Sequence, residues 1–298
     1  MKMSLCGALL LVLACVATAL GQDQMKENHG PPNVLLIVRE DIKPGQMPAH
    51  SRHSETYANI FAKNGTPNHR IALVPVAGSE NEVIYLTGAE TFAEIEKTMK
   101  DTDSKMASLA VSMRGEMDRL NKEAPDLHSG MRDMLSVFRP ELSYKPSVVI
   151  PEMRYFAVTT VRIRPGQEGQ YADYVKTIVN TARDKVKAEL HVAAFQVVAG
   201  APGTTYMFFR PMKSLGEYDL RIATRVRESL SDDEKKKADK MATESIMYAE
   251  TSIYAFDPRM SYVPAEFAKI DPFWNARTER TAMTPRRPAR KPAKPNQQ

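Results

Sequence analysis

The chain has 298 residues, 43% of them hydrophobic and 26% charged, with a formal net charge of +5. That balance excludes a disordered or fibrous protein, and the length allows about two domains of ordinary size. The positive charge belongs to one place: Arg286, Arg287, Arg290, Lys291 and Lys294 stand in 284–298 with no acid among them, so the rest of the chain is close to neutral.

In chain order, residues 1–21 come first as a targeting segment. Lys2 precedes an apolar run from Leu5 to Val16, too short to span a bilayer, and Ala19-Leu20-Gly21 ends in small residues of the kind a signal peptidase reads. A signal peptide with Gln22 as the mature start is expected, making the protein exported, periplasmic or extracellular. The alternative reads "VLAC" as a lipobox with Cys15 lipidated. Both cysteines, Cys6 and Cys15, lie in this segment. The mature chain would then have no disulfide and no cysteine nucleophile, and its stability must come from its core.

From residue 32 the sequence repeats itself. "VREDIKPGQ" (38–46) is echoed by "TVRIRPGQ" (160–167), and "SVFRPELSYKP" ending at Pro146 by "YAFDPRMSYVP" ending at Pro264. The pairs Pro44/Pro165, Gly78/Gly200, Phe92/Leu215 and Tyr144/Tyr262 keep the same order at a separation of about 120 residues. A whole domain is repeated, at 32–147 and 152–264, followed by a C-terminal extension over 265–298 that is basic, and expected to be disordered, from 284.

Within each unit the elements follow one order. Strand-like runs over 33–41 and 154–163 end in a basic residue and Pro-Gly-Gln, which turns the chain into a helix. The second helix shows its period in Tyr171, Tyr174, Val175, Ile178 and Ala182; the first reads as shorter, with Tyr57, Ile60 and Phe61 before Asn64-Gly65. Hairpins follow at 70–77/82–88 and 192–199/203–210. A second helical stretch comes next, with Met99, Met106, Met113 and Leu120 as a buried stripe in the first unit and 232–249 in the second. A short last strand closes each unit at Phe138 or Phe256, and the proline-flanked phrase after it reads as an exit arm lying across the seam between units. The order β-α-β-β-α-β, twice, is ferredoxin-like. Helices cover one face of such a sheet, yet both parities of the strands are apolar: Leu35 and Ile37 against Leu36 and Val38, Phe156 and Val158 against Ala157 and Val161. The fold class expected is therefore α+β: tandem ferredoxin-like units packed sheet to sheet as a pseudo-two-fold α+β barrel, monomeric with an internal pseudo-dimer.

This succession of strand, basic-Pro-Gly turn, helix, hairpin, helix and strand resembles the dimeric α+β-barrel superfamily, which includes antibiotic-biosynthesis-monooxygenase-like, EthD-like and NIPSNAP-like domains. The resemblance covers about 32–264 and implies a cavity between the sheets. It carries no active-site signature, so it assigns no catalytic residue.

Chemistry is sparsely marked. His50 and His53, three apart near the start of a helix, are metal candidates set against an ordinary surface pair. Some barrels of the resembled group bind haem through one histidine, which makes His69 and His191, each at the start of a strand, the cofactor candidates. Arg162 and Arg210 near strand ends are candidates for binding an anionic group. No phosphate loop, nucleophile elbow or HExxH motif is present. These features lead to a protein that binds a small apolar or amphipathic molecule, or a partner. The alternatives are an oxidoreductase of the monooxygenase-like kind, cofactor-independent or haem-dependent, and an envelope interaction protein whose tail meets an anionic polymer. The tail has no aromatics among its charges, so no specific nucleic-acid partner is expected.

Overall fold

The computed structural model describes residues 30–275. The expected signal peptide, both cysteines and the basic tail lie outside the described residues. The first unit runs β1 (Val34–Ile42), α1 (Met47–Asn64), β2 (Arg70–Ala77), β3 (Glu82–Ala89), α2 (Phe92–Ala107), α3 (Val111–Leu127) and β4 (His128–Phe138). The second runs β5 (Tyr155–Ile163), α4 (Glu168–Asp173), a π-helical turn (Tyr174–Asn180), α5 (Thr181–Lys185), β6 (Ala193–Ala199), β7 (Thr205–Met212), α6 (Ile222–Glu228), α7 (Asp232–Ser245) and β8 (Ile246–Tyr262). A short α8 (Ala265–Ile270) follows.

Local chemistry marks the element ends. At α7 the Ser231 hydroxyl accepts from the Glu234 amide, and the Glu234 carboxylate accepts from the Ser231 amide, a capping box. Thr91 caps α2 through its hydroxyl, which accepts from the Glu94 amide. Gly65, in the left-handed region, ends α1.

The strands form a closed antiparallel barrel in the order β1-β3-β2-β8-β5-β7-β6-β4. Each unit contributes its strands in the ferredoxin order, fourth-first-third-second. The α+β barrel expected from the sequence is the architecture observed, but the two sheets do more than face each other. They share both edges, through β2 on β8 and β4 on β6. Closure removes the unpaired edges that two separate sheets would expose.

The alternation of apolar residues is resolved as two environments. Leu35, Ile37, Phe156, Val158, Phe209 and Phe256 point into the barrel and form one core with residues of both units. Val38 and Val161 face outward onto the helices. An eight-stranded barrel is just wide enough for side chains to fill it, and its middle is filled here. Glu82 is buried and accepts hydrogen bonds from Arg39 and from the Tyr254 hydroxyl. An inter-sheet cavity of about 390 Å³ is lined by apolar residues of both units such as Leu35, Phe156 and Phe195.

Several elements differ from expectation. Helix α1 spans 18 residues without a break, whereas its counterpart is interrupted by the π turn. The methionine stripe is divided between α2 and α3; Met117 and Leu120 are buried while Met99 is exposed. Strand β8 is 17 residues long and continues through Pro258. The proline is accommodated at a bulge where the register against β2 shifts, a place where the ladder needs no donor.

Candidate functional site

A cavity larger than the inter-sheet one lies outside the barrel, between the sheet of the second unit and its helices. It measures about 500 Å³. Its floor is the outer face of β5 and β7, with Ala157, Thr159, Phe208 and Arg210. Its roof is the π turn with α5 and α6. A π turn widens a helix locally and recurs at functional sites; here it brings Tyr174 and Ile178 over the cavity.

Two arginines give the cavity its character. The Nε and Nη2 atoms of Arg210 are buried without a hydrogen-bond partner. Glu217 stands 3.6 Å from Nη2, close enough for attraction but too far for a hydrogen bond. Arg183 donates to Asn180 Oδ1 at 2.9 Å and lies 5.5 Å from the centre of the Tyr144 ring. Burial makes its guanidinium a weaker base than usual, and the like charge of Arg210 adds to that effect against the pull of Tyr144, Tyr171 and Tyr174. Two cations that repel across a desolvated space, with donors left over, call for a negative group.

Apart from Thr159, Thr251 and Arg227, which is paired with Asp239 at 2.7 Å, the rest of the lining is apolar or aromatic. Tyr171 and Tyr174 are held above the ordinary phenol range by burial. Neither is therefore a ready base near neutral pH. The residues lining this cavity include no histidine, cysteine, aspartate or glutamate. None of the lining side chains is an ordinary general base near neutral pH.

The sequence candidates are dispersed. Arg210 is in the cavity; Arg162 is on the same sheet, against the Gly203 turn. His191 alternates with Leu190 and Val192, which line the cavity, and its Nδ1 meets the Lys145 carbonyl at the exposed surface. His69 stacks on Tyr262 with ring centres 4.6 Å apart. A haem iron in this cavity would find tyrosine as its only customary ligand type among the lining residues, which does not fit a histidine-held haem. His53 is engaged by the Leu120 carbonyl at 2.9 Å, and burial makes it a weaker base than usual. His50 is separated from it in function: its Nε2 lies 2.7 Å from Glu40 Oε2, which also has His128 Nε2 at 3.3 Å. Burial would raise the Glu40 carboxyl, but the hydrogen bonds from His128 and His50 prevail and bring it down to about 2. His128 is raised, chiefly by its hydrogen bond to Glu40.

Sequence reasoning missed Arg183, Glu40 and His128. Arg183 sits on the polar side of a helix whose period was read from its apolar side. Glu40 and His128 are each other's partners across 88 residues, and nothing in either flank signals it.

No protein-family model matches this chain, and no curated protein matches it in sequence. Among solved structures, it is similar to a candidate monooxygenase from Fusobacterium nucleatum, at 10% identity over 75% of this chain and 91% of the other, with a TM-score of 0.46. It is also similar to a chlorite dismutase variant from Candidatus Nitrospira defluvii, at 10% identity over 82% and 95% of the two chains and a TM-score of 0.45. An anthrone oxidase-like protein gives 8% identity, 75% and 91% coverage and a TM-score of 0.45. A similar fold implies no shared chemistry at such identities.

Proposed function

We propose that the protein is a binding protein for a small amphipathic anion, an organic acid with an apolar body, held in the 500 Å³ cavity of the second unit. The observation that carries this reading is the pair of unemployed, buried donors on Arg210, beside a second desolvated guanidinium on Arg183. A carboxylate at Arg210 would take up both donors, and Val175, Ile178 and Phe208 offer the surface for an apolar tail. Export, expected from residues 1–21, would place this binding outside the cytoplasm.

The test is calorimetric titration with octanoate and 1-naphthoate, each beside its uncharged alcohol. The acids should bind and the alcohols bind at least tenfold more weakly, because a hydrogen bond to a charged group contributes about 1.5–3 kcal/mol. Arg210→Met, which keeps the apolar stem, should remove that preference. Equal binding of acid and alcohol to the native protein would overturn the reading.

A further inference from the structure

The duplication supplies its own control for the first unit. Glu40 on β1, His50 on α1 and His128 at the start of β4 occupy the places held in the second unit by Val161, Tyr171 and Ile246. The strand register fixes two of these equivalences independently: Ile42 pairs with His128 after a bulge, as Ile163 pairs with Ile246 after a bulge. In the second unit the three residues are part of an apolar cluster. The fold is thus satisfied at this position by hydrophobic packing. The polar trio in the first unit is not something the architecture requires, and burying it opposes stability unless the groups are paired.

The donor atoms converge. One ligand atom from each of Glu40, His50 and His128 lies within 4.8 Å of the other two. Neighbouring ligands of a metal bound at about 2.0–2.2 Å stand about 3 Å apart, and the two nitrogens here are 2.7 and 3.3 Å from the shared oxygen. The His128 ring is oriented by its other nitrogen, which is 2.7 Å from the Ala124 carbonyl. A carbonyl only accepts, so Nδ1 carries a hydrogen, and in the neutral ring Nε2 presents a bare lone pair to the carboxylate. Only a cation between them relieves that: a proton, or a metal ion. Backbone carbonyls fix metal-ligating histidines in this same way. The side chains of His128 and Glu40 are 19% and 15% exposed, which leaves an approach from solvent, while His50 is fully enclosed.

We propose that Glu40, His50 and His128 bind a divalent first-row transition-metal ion through Glu40 Oε2 and the two Nε2 atoms. Two imidazoles and one carboxylate select zinc, cobalt, manganese or iron(II) over calcium and magnesium, and three protein ligands leave coordination positions for water. The ion takes the place of the protons between the rings and the carboxylate, which leave to solvent. It joins β1, α1 and β4, so it would hold the first unit's helix to its sheet.

The experiment uses the full chain, without a histidine tag, treated with EDTA and titrated with Zn²⁺ by calorimetry and with Co²⁺ by visible absorption. One equivalent of Zn²⁺ should bind, Co²⁺ should develop ligand-field bands, and the thermal midpoint should rise with Zn²⁺ over EDTA, a measurement that needs no variant. His128→Asn and Glu40→Gln should each weaken Zn²⁺ binding by more than the roughly ten- to hundredfold that losing an outer-shell partner costs, with circular dichroism confirming the fold; His53→Asn, three residues from His50, should not. The absence of binding and of any midpoint shift in the native chain would overturn the proposal. So would binding that survives both ligand variants, since it would mark adventitious surface histidines.

Discussion

The repeated Ser-Tyr phrase acquires its meaning at single atoms. Ser143 Oγ accepts from the Ala194 amide at 3.0 Å and donates to the Arg139 carbonyl at 2.8 Å. Ser261 Oγ accepts from the Ala72 amide at 2.8 Å and donates to the Asp257 carbonyl at 2.6 Å. Each serine therefore gives an acceptor to a strand of the other unit where main-chain pairing lapses, Ser143 just past the last β4–β6 pair and Ser261 at the β2–β8 bulge. Ser143→Ala and Ser261→Ala should each cost about 1–3 kcal/mol, because a buried amide is left without an acceptor; denaturant unfolding measures it. The glycines of the hairpins face the same seams. A Cβ at Gly200, where φ is +91°, would lie 2.1 Å from the Asp133 carbonyl oxygen. Gly200→Ala should destabilise by about 2–4 kcal/mol from steric conflict and backbone strain together. Gly45→Ala, with φ of +79° and open space around it, should cost about 1–2 kcal/mol from strain alone. Equal losses at the two glycines would mean that the seam tolerates the methyl group.

At the level of elements, the C-terminal segment is anchored by a few groups that can be followed by spectroscopy. Trp274, the single tryptophan of the sequence, is buried and donates from Nε1 to the Pro151 carbonyl at 2.9 Å. The preceding turn is tied down by Asp271, which accepts from Arg154 at 2.5 Å and from the Phe273 amide at 2.8 Å. Burial would raise the Asp271 carboxyl, but the Arg154 and amide hydrogen bonds prevail and lower it. A lowered carboxyl contributes its stability fully above the ordinary carboxylate range, and that contribution is lost as pH falls through the lowered value. Tryptophan emission should therefore stay blue at neutral pH and shift to the red below about pH 4. Asp271→Asn should show the red shift already at neutral pH; unchanged emission would mean that aromatic packing alone seats the segment. These contacts also show what a sequence discloses about elements. The order of strands and helices was legible because Pro-Gly turns and the apolar period are local. The length of β8 was not, since what keeps Pro258 in the sheet is an Asp257 carboxylate that accepts the Arg259 amide at 2.8 Å and a bulge against a strand of the other unit. The π turn was equally hidden, because its apolar spacing still satisfies an ordinary helix.

For the whole molecule, the duplication itself predicted that two apolar sheet faces would cover each other, and they do. The same reasoning located the ligand space between the sheets, whereas the greater cavity lies under the helices of one unit; how much room a barrel leaves depends on side-chain volumes that no periodicity reports. Burial of the shared core also bears on independence. Residues 152–275 expressed alone would expose Phe156, Val158, Phe195, Phe209 and Phe256, all buried here, together with the edges of β6 and β8. At roughly 25 cal/mol per Å² of apolar surface, such a face is too costly to leave in water. The fragment should therefore elute as a dimer in size-exclusion chromatography with light scattering; a folded monomer would show that one sheet needs no cover.

Ring closure has a consequence for biosynthesis. The second strand of the barrel has as its neighbour the last one to be translated, so that junction cannot form until the ribosome has made nearly the entire protein. At about 5–20 residues per second, the early half waits on the order of ten seconds or more with a greasy surface uncovered. Were residues 1–21 to direct export, that delay would keep the polypeptide unfinished and so fit to be threaded through a membrane pore.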